Sequence, residues 1–155
     1  MKIIFLDIDG VLINSSSLLT PTDSYIPDSK CLRLLNGLIK RTEPRIVITS
    51  AWRIERTLVE LQELLSGWGV EGIVLDKTPT SPNSREEDRG FEIQLWLDDR
   101  KKNRGDVESF VILDDNNHMP KLLDFLVQTK FEPGLTGHDT QKALRILLES
   151  VPTSE

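Results

Sequence analysis

The chain has 155 residues, of which 38% are hydrophobic and 28% charged, with a formal net charge of −6. That composition suits one folded domain with a full core and excludes a disordered chain. It also gives no broad electrostatic footprint for nucleic acid, although a local basic patch is compatible with it.

No apolar run is long enough to cross a membrane, and the N-terminal one breaks at Asp7, too early for a secretion signal. Cys31, the single cysteine, excludes an internal disulfide and reads as a core filler. Together these features predict a cytoplasmic protein.

The first element is the run Ile3-Ile4-Phe5-Leu6, which ends in Asp7, Asp9 and Gly10. A short continuous apolar run closed by glycine predicts a strand buried on both faces. Gly10 permits a turn just beyond it, so both carboxylates are expected to converge at the strand's C-terminal edge. Their repulsion calls for a cation, and an oxygen-rich site suits Mg²⁺.

A polar stretch from Asn14 to Pro27 follows. Asp28 is placed to cap a helix that carries Leu32, Leu35, Leu38 and Ile39 on one face. The second strand, Arg45 to Thr49, ends in Ser50-Ala51-Trp52-Arg53. Leu58, Leu61 and Leu65 predict an amphipathic helix closed by Gly67 and Gly69. A third strand at Gly72 to Leu75 leads through a Pro-, Ser- and charge-rich loop, Thr78 to Asp88. A helix follows with Phe91, Ile93, Leu95, Trp96 and Leu97, ending in the charged run Asp98 to Arg104.

The fourth strand, Ser109 to Leu113, ends in Asp114-Asp115. A short helix with Leu122, Leu123 and Phe125 and a strand at Leu126 to Thr129 come next. Gly134 and Gly137 mark a loop, and Asp139 or Thr140 is expected to cap a last helix with Leu144, Leu147 and Leu148.

Strands alternating with helices predict βαβ units. The expected fold is a Rossmann-like three-layer α/β/α sandwich around a mainly parallel five-stranded sheet. It forms one domain over residues 1–150, with residues 151–155 as a tail. In such sheets the ligand site lies outside the carboxyl ends of the strands. Asp7/Asp9, Thr49/Ser50 and Asp114/Asp115 all lie there. Leu97-Asp98-Asp99 repeats the letters of Leu113-Asp114-Asp115, but it follows a helical pattern and reads as a solvated helix end.

An apolar strand running into Asp-x-Asp-Gly, a later strand-end hydroxyl and a distal Phe-Val-Ile-Leu-Asp-Asp together resemble the haloacid-dehalogenase-like (HAD) phosphatase superfamily. The resemblance covers essentially the whole chain. It implies a Mg²⁺-dependent phosphohydrolase acting on a phosphomonoester through an aspartyl-phosphate. On that resemblance Asp7 is the nucleophile, and Asp9 is the general acid and then the base. Asp114, with Asp115 beside it, completes the Mg²⁺ site together with Asp7 and Asp9, the last through its backbone carbonyl.

Thr49 and Ser50 compete to hydrogen-bond the phosphoryl group, with Ser50 favoured because its side chain reaches beyond the strand. Arg89, at a helix start, is the expected basic residue, and Arg85 and Lys77 are the alternatives. Gly10, Ala51 and Arg53 are expected along the substrate, an exposed helical turn being the other reading of Arg53. His118, His138, Trp52, Trp68 and Trp96 read as surface or packing residues.

Superfamily members that act on small metabolites usually carry an inserted cap domain. The gaps here, Ile13 to Pro44 and Ile54 to Asp88, hold no sizeable one, which leaves the site open to a phosphorylated macromolecule as well as a small molecule. The Ser50–Arg53 segment, the run Arg89 to Leu97 and Gly134-Leu135-Thr136 resemble HAD domains of RNA or polynucleotide end-repair proteins, although the net charge does not point to nucleic acid. A catalytically idle HAD-fold binding module is the contrasting reading. It would be signalled by loss of Asp7 or Asp9, and neither is lost.

Overall fold

A computed structural model of the chain describes residues 1–17, 25–82 and 85–149. Its strands are β1 (Lys2–Leu6), β2 (Arg45–Ile48), β3 (Ile73–Lys77), β4 (Ser109–Asp114) and β5 (Leu126–Gln128). The helices are α1 (Ser29–Thr42), α2 (Leu58–Trp68), α3 (Arg89–Asn103) and α4 (Gly137–Leu148), with 3₁₀ turns at Ala51–Arg53, Glu86–Asp88 and Pro120–Phe125.

The strands form one parallel sheet in the order β3-β2-β1-β4-β5. β1 is central, and Phe5 pairs with Val47 on one side and Ile112 on the other. Its unbroken apolar run follows from that position, because both faces of the strand are covered. On one face Ile4 and Leu6 pack with Leu35 and Leu38 of α1, Leu61 and Leu65 of α2, and Ala143 and Leu147 of α4. On the other, Ile3 and Phe5 meet Ile93 and Trp96 of α3. Phe5 lies edge-to-face with Trp96 at 5.4 Å and with Phe110 at 5.7 Å. The sandwich is therefore the Rossmann-like one expected.

Local signals account for most helix ends. The Asp28 side chain accepts from the backbone N–H of Lys30 at 2.8 Å and of Cys31 at 3.2 Å, starting α1. Thr57 and Glu60 form a reciprocal capping box on α2, which stops at Gly69 with φ 96°. Gly67, expected to close that helix, lies inside it. The cap of α4 is Thr136, with Asp139 as its box partner, so the helix starts at Gly137, ahead of the Asp139 or Thr140 cap that the sequence suggests. The segment around Leu122 and Phe125 is a 3₁₀ turn, and β3 continues two residues past Leu75 at the sheet edge.

Cys31 is buried in α1, with its Sγ donating toward the carbonyls of Pro133 and Leu135 at 3.4 and 3.5 Å. Burial, helped by the nearby Asp28 charge, pushes its pKa up to about 11.

Between β1 and β2 the described residues build α1, and between β2 and α3 they build α2 and β3, so neither gap holds a sizeable cap domain. Among the described residues no helix is long and apolar enough to cross a membrane.

The start of α3 is wedged against the segment before the 3₁₀ turn. A Cβ on Gly90 would stand 2.6 Å from the Cβ of Met119 and 2.8 Å from its Cα. Gly90→Ala should therefore push α3 off the sheet and cost about 1–3 kcal/mol, read as a lower urea midpoint at constant m value.

Candidate active site

Parallel pairing brings three strand ends to one edge. Backbone hydrogen bonds continue the ladder past β1, with Asp7 N–H donating to the Leu113 carbonyl and Thr49 N–H to the Leu6 carbonyl, each at 3.0 Å. Asp7, Ser50 and Asp114 are thus set side by side by main-chain register.

Asp7, Asp114 and Asp115 each contribute a carboxylate oxygen to a group lying within 4.8 Å. Arg89, the first residue of α3, joins two of them: its NH1 is 2.8 Å from Asp114 Oδ2 and 3.3 Å from Asp7 Oδ2. A cation in the first turn of a helix opposes the macrodipole, and the two carboxylates offset that. The remaining oxygens are also oriented. Asp7 Oδ1 accepts from Ile8 N–H at 2.8 Å, and Asp114 Oδ1 from Asn116 N–H at 2.9 Å.

Burial and the neighbouring Asp114 charge push the Asp7 carboxyl well above the usual carboxylate range, against the pull of Arg89. Asp115 is raised for the same two reasons, burial first. Burial disfavours the charge on Arg89, yet Asp7 and Asp114 outweigh it and the guanidinium holds its proton more tightly. Three carboxylates against one guanidinium leave surplus negative charge on hard oxygen donors, a set that fits Mg²⁺.

Asp9 departs from the expected convergence. Its side chain is exposed, outside the acidic group, and its Oδ2 accepts from the Trp52 indole Nε1–H at 2.9 Å. The residue belongs to the turn beyond β1, where Asp9 bridges to Ile13, so strand alternation no longer governs its direction. Gly10 is buried in the same turn, with φ 80°. A Cβ there would lie 2.7 Å from Asp115 Cγ. Glycine therefore lets Asp115 lie across the turn.

Arg53 is not the exposed arginine of a helical turn. It is 2% exposed and stands in the lining of the pocket described below, with Ser50 and Ala51. Its Nε donates to the Thr78 carbonyl at 3.1 Å, and its NH1 to the carbonyls of Thr49 at 2.7 Å and Ser50 at 3.1 Å. NH2 donates to the Pro79 carbonyl at 3.2 Å and pairs with Glu92 at 2.9 Å. Every N–H of the guanidinium is thereby committed. Burial lowers its pKa despite the opposing pull of Glu92. Glu92, on α3 and also buried, accepts from Ser81 N–H at 2.8 Å. The pair ties the loops after β2 and β3 to α3. Lys77 belongs to the same brace, donating to the carbonyls of Arg56 at 2.7 Å and Arg53 at 3.2 Å.

A pocket of about 160 Å³ opens over these residues, lined by Asp7, Asp9, Ser50, Ala51, Arg53, Arg85, Arg89, Glu92, Asp115 and Asn116. Whole small-molecule pockets run to roughly 300–1,000 Å³, so this one admits a phosphoryl-sized group and leaves the rest of a ligand outside. Ser50 Oγ accepts from Trp52 N–H at 3.2 Å, keeping its own O–H free to donate into the pocket. Thr49 is fully buried away from the pocket lining, and its Oγ1 has no partner among the described residues. Arg85 is exposed at the pocket rim. Trp52, Glu92 and Asn116 are the site residues that the sequence reading missed.

An aspartate at the end of the central strand, a second acidic pair on the neighbouring strand and a basic residue from the preceding helix define a HAD-like α/β domain. The family described as the HAD domain in Swiss Army Knife RNA repair proteins matches residues 3–140, and the chain belongs to that family. Neither the curated proteins nor the solved structures give a match.

Two expectations follow from this geometry. Arg53→Met removes the opposite charge from the buried Glu92 carboxylate and should cost about 3–5 kcal/mol in equilibrium denaturation. Asp7→Asn should act in the opposite direction in chelator. A carboxyl whose pKa is raised by folding costs nothing below the unfolded carboxylate range and destabilises progressively as pH rises toward the folded pKa. With EDTA present, Asp7→Asn should melt about 2–4 °C above wild type at neutral pH, with the difference closing near about pH 3.

Proposed function

We propose that the domain is a Mg²⁺-dependent phosphohydrolase that removes a terminal phosphate from a large substrate through an aspartyl-phosphate on Asp7. The observation that carries this is the placement of Asp7. Its carboxylate stands at the carboxyl edge of the central strand, paired with Arg89, against Asp114 and Asp115, and facing a phosphoryl-sized pocket.

Asp7, Asp114 and Asp115 would hold the Mg²⁺, with the Asp9 backbone carbonyl as a further ligand. When bound, the ion neutralises charge so that an anionic nucleophile can approach an anionic phosphate. In the first step an Asp7 oxygen bonds to phosphorus, the bond from phosphorus to the leaving oxygen breaks, and Asp9 supplies that oxygen with a proton. In the second, water attacks phosphorus, its proton passes to Asp9, and inorganic phosphate leaves Asp7 as a free carboxylate. Ser50 O–H donates to a phosphoryl oxygen. Arg89 keeps Asp7 oriented and offsets the crowded carboxylates. With Arg53 committed to backbone carbonyls, Arg85 is the cation that reaches the phosphate from the rim.

The small pocket and the open approach favour a substrate whose bulk stays outside. The family description names RNA repair proteins, which supports a phosphorylated polynucleotide end as that substrate.

The direct test is phosphate release from a generic aryl phosphate and from 3′- and 5′-phosphorylated oligonucleotides. Wild type should turn over with Mg²⁺ and stop with EDTA. Asp7→Asn should lose about a thousandfold or more, and Asp9→Asn roughly a hundredfold or more. Metal-independent turnover, or full activity in Asp7→Asn, would refute the mechanism.

A further inference from the structure

In the phosphohydrolase reading, on which this inference rests, the general acid dictates where the leaving group stands. Asp9 must come within hydrogen-bond reach of the oxygen it protonates, so the leaving group lies against its exposed carboxylate. That carboxylate is also the acceptor of the Trp52 indole N–H, at 2.9 Å. The surface next to the leaving group is therefore built around Trp52.

Trp52 is held within an aromatic cluster. Tyr25 meets it edge-to-face at 5.5 Å and Trp68 at 5.4 Å. Trp68 Nε1–H donates to the Tyr25 backbone carbonyl at 3.1 Å, pinning the segment before α1 to the end of α2. The Arg56 guanidinium lies 5.0 Å from the Trp52 ring centre, and its NH1 donates to the Trp52 carbonyl at 3.1 Å. Trp52 and Trp68 also pack against the core, whereas Tyr25 and its neighbour Ile26 are 50% and 51% exposed. The result is a half-exposed tyrosine in edge contact with Trp52, the residue whose indole N–H holds the Asp9 carboxylate.

Charge decides what such a ring is suited to hold. A chain of net charge −6 offers little to a run of backbone phosphates, so a strand docking here needs affinity that does not depend on charge. Base stacking on an aromatic ring supplies that. We propose that Tyr25, braced by Trp52 and Trp68, is the stacking platform for the terminal nucleobase of the strand whose end phosphate enters the pocket.

The test compares kcat/KM, with Mg²⁺, for a short single-stranded oligonucleotide bearing a terminal phosphate and the same strand lacking only its terminal base. Wild type should prefer the base-bearing strand about tenfold. Tyr25→Ala should collapse the preference to near unity, and Tyr25→Phe should keep it. Misfolding lowers both rates together, so a collapsed ratio reports the platform alone. Equal rates in wild type, or a preference that survives in Tyr25→Ala, would overturn the platform while leaving the phosphohydrolase reading in place. If wild type released phosphate from neither strand nor from an aryl phosphate, that reading and the platform would fall together. Running the pair on 3′- and 5′-phosphorylated strands identifies the recognised end as the one that carries the preference.

Discussion

The site depends on one guanidinium placed between two buried carboxylates. Without Arg89, Asp7 and Asp114 would face each other in a low-dielectric edge of the sheet with only backbone donors to relieve them, a strongly unfavourable arrangement. Arg89 makes the pair tolerable but does not neutralise the group, because Asp115 adds a third carboxylate. The site is thus stable enough to fold and still carries surplus negative charge on oxygen donors, a set that fits a divalent cation. The same interaction anchors the first turn of α3, so the helix that covers one face of the sheet is seated by the site it serves.

A second ionic pair, Arg53 with Glu92, handles the walls. It joins the loops after β2 and β3 to α3, largely through backbone carbonyls, and so holds Ser50 and Ala51 in the pocket wall that the pair itself shares. The two buried arginines divide the labour: one offsets charge between Asp7 and Asp114, the other fixes the shape of the wall around them. Arg85 stays exposed at the rim.

The backbone of the fold and the acidic part of the site were legible in the sequence because both follow local rules. Apolar runs that end in Asp7, Thr49 and Asp114 give strands whose ends share an edge, and Asp28 and Gly69 mark helix limits by a side chain or by the lack of one. Arg53 was illegible for the opposite reason. Its partners are carbonyls of Thr78 and Pro79 from a different loop and a glutamate from α3, and nothing in its immediate sequence announces them. Glu92 carried a faint signal, standing one turn beyond Arg89 on a helix whose inward face is otherwise apolar. Asp9 followed no strand rule, since the turn had already taken over. Trp52 read as packing, which it is, but its indole nitrogen is turned to the one carboxylate that stands apart from the rest.

The single thiol has a consequence of its own. Cys31 sits beneath the Pro133–Leu135 loop with its ionisation suppressed to about 11, so almost none of it is thiolate at neutral pH. The thiolate is the form that attacks electrophilic reagents and peroxides, and the folded chain offers almost none of it.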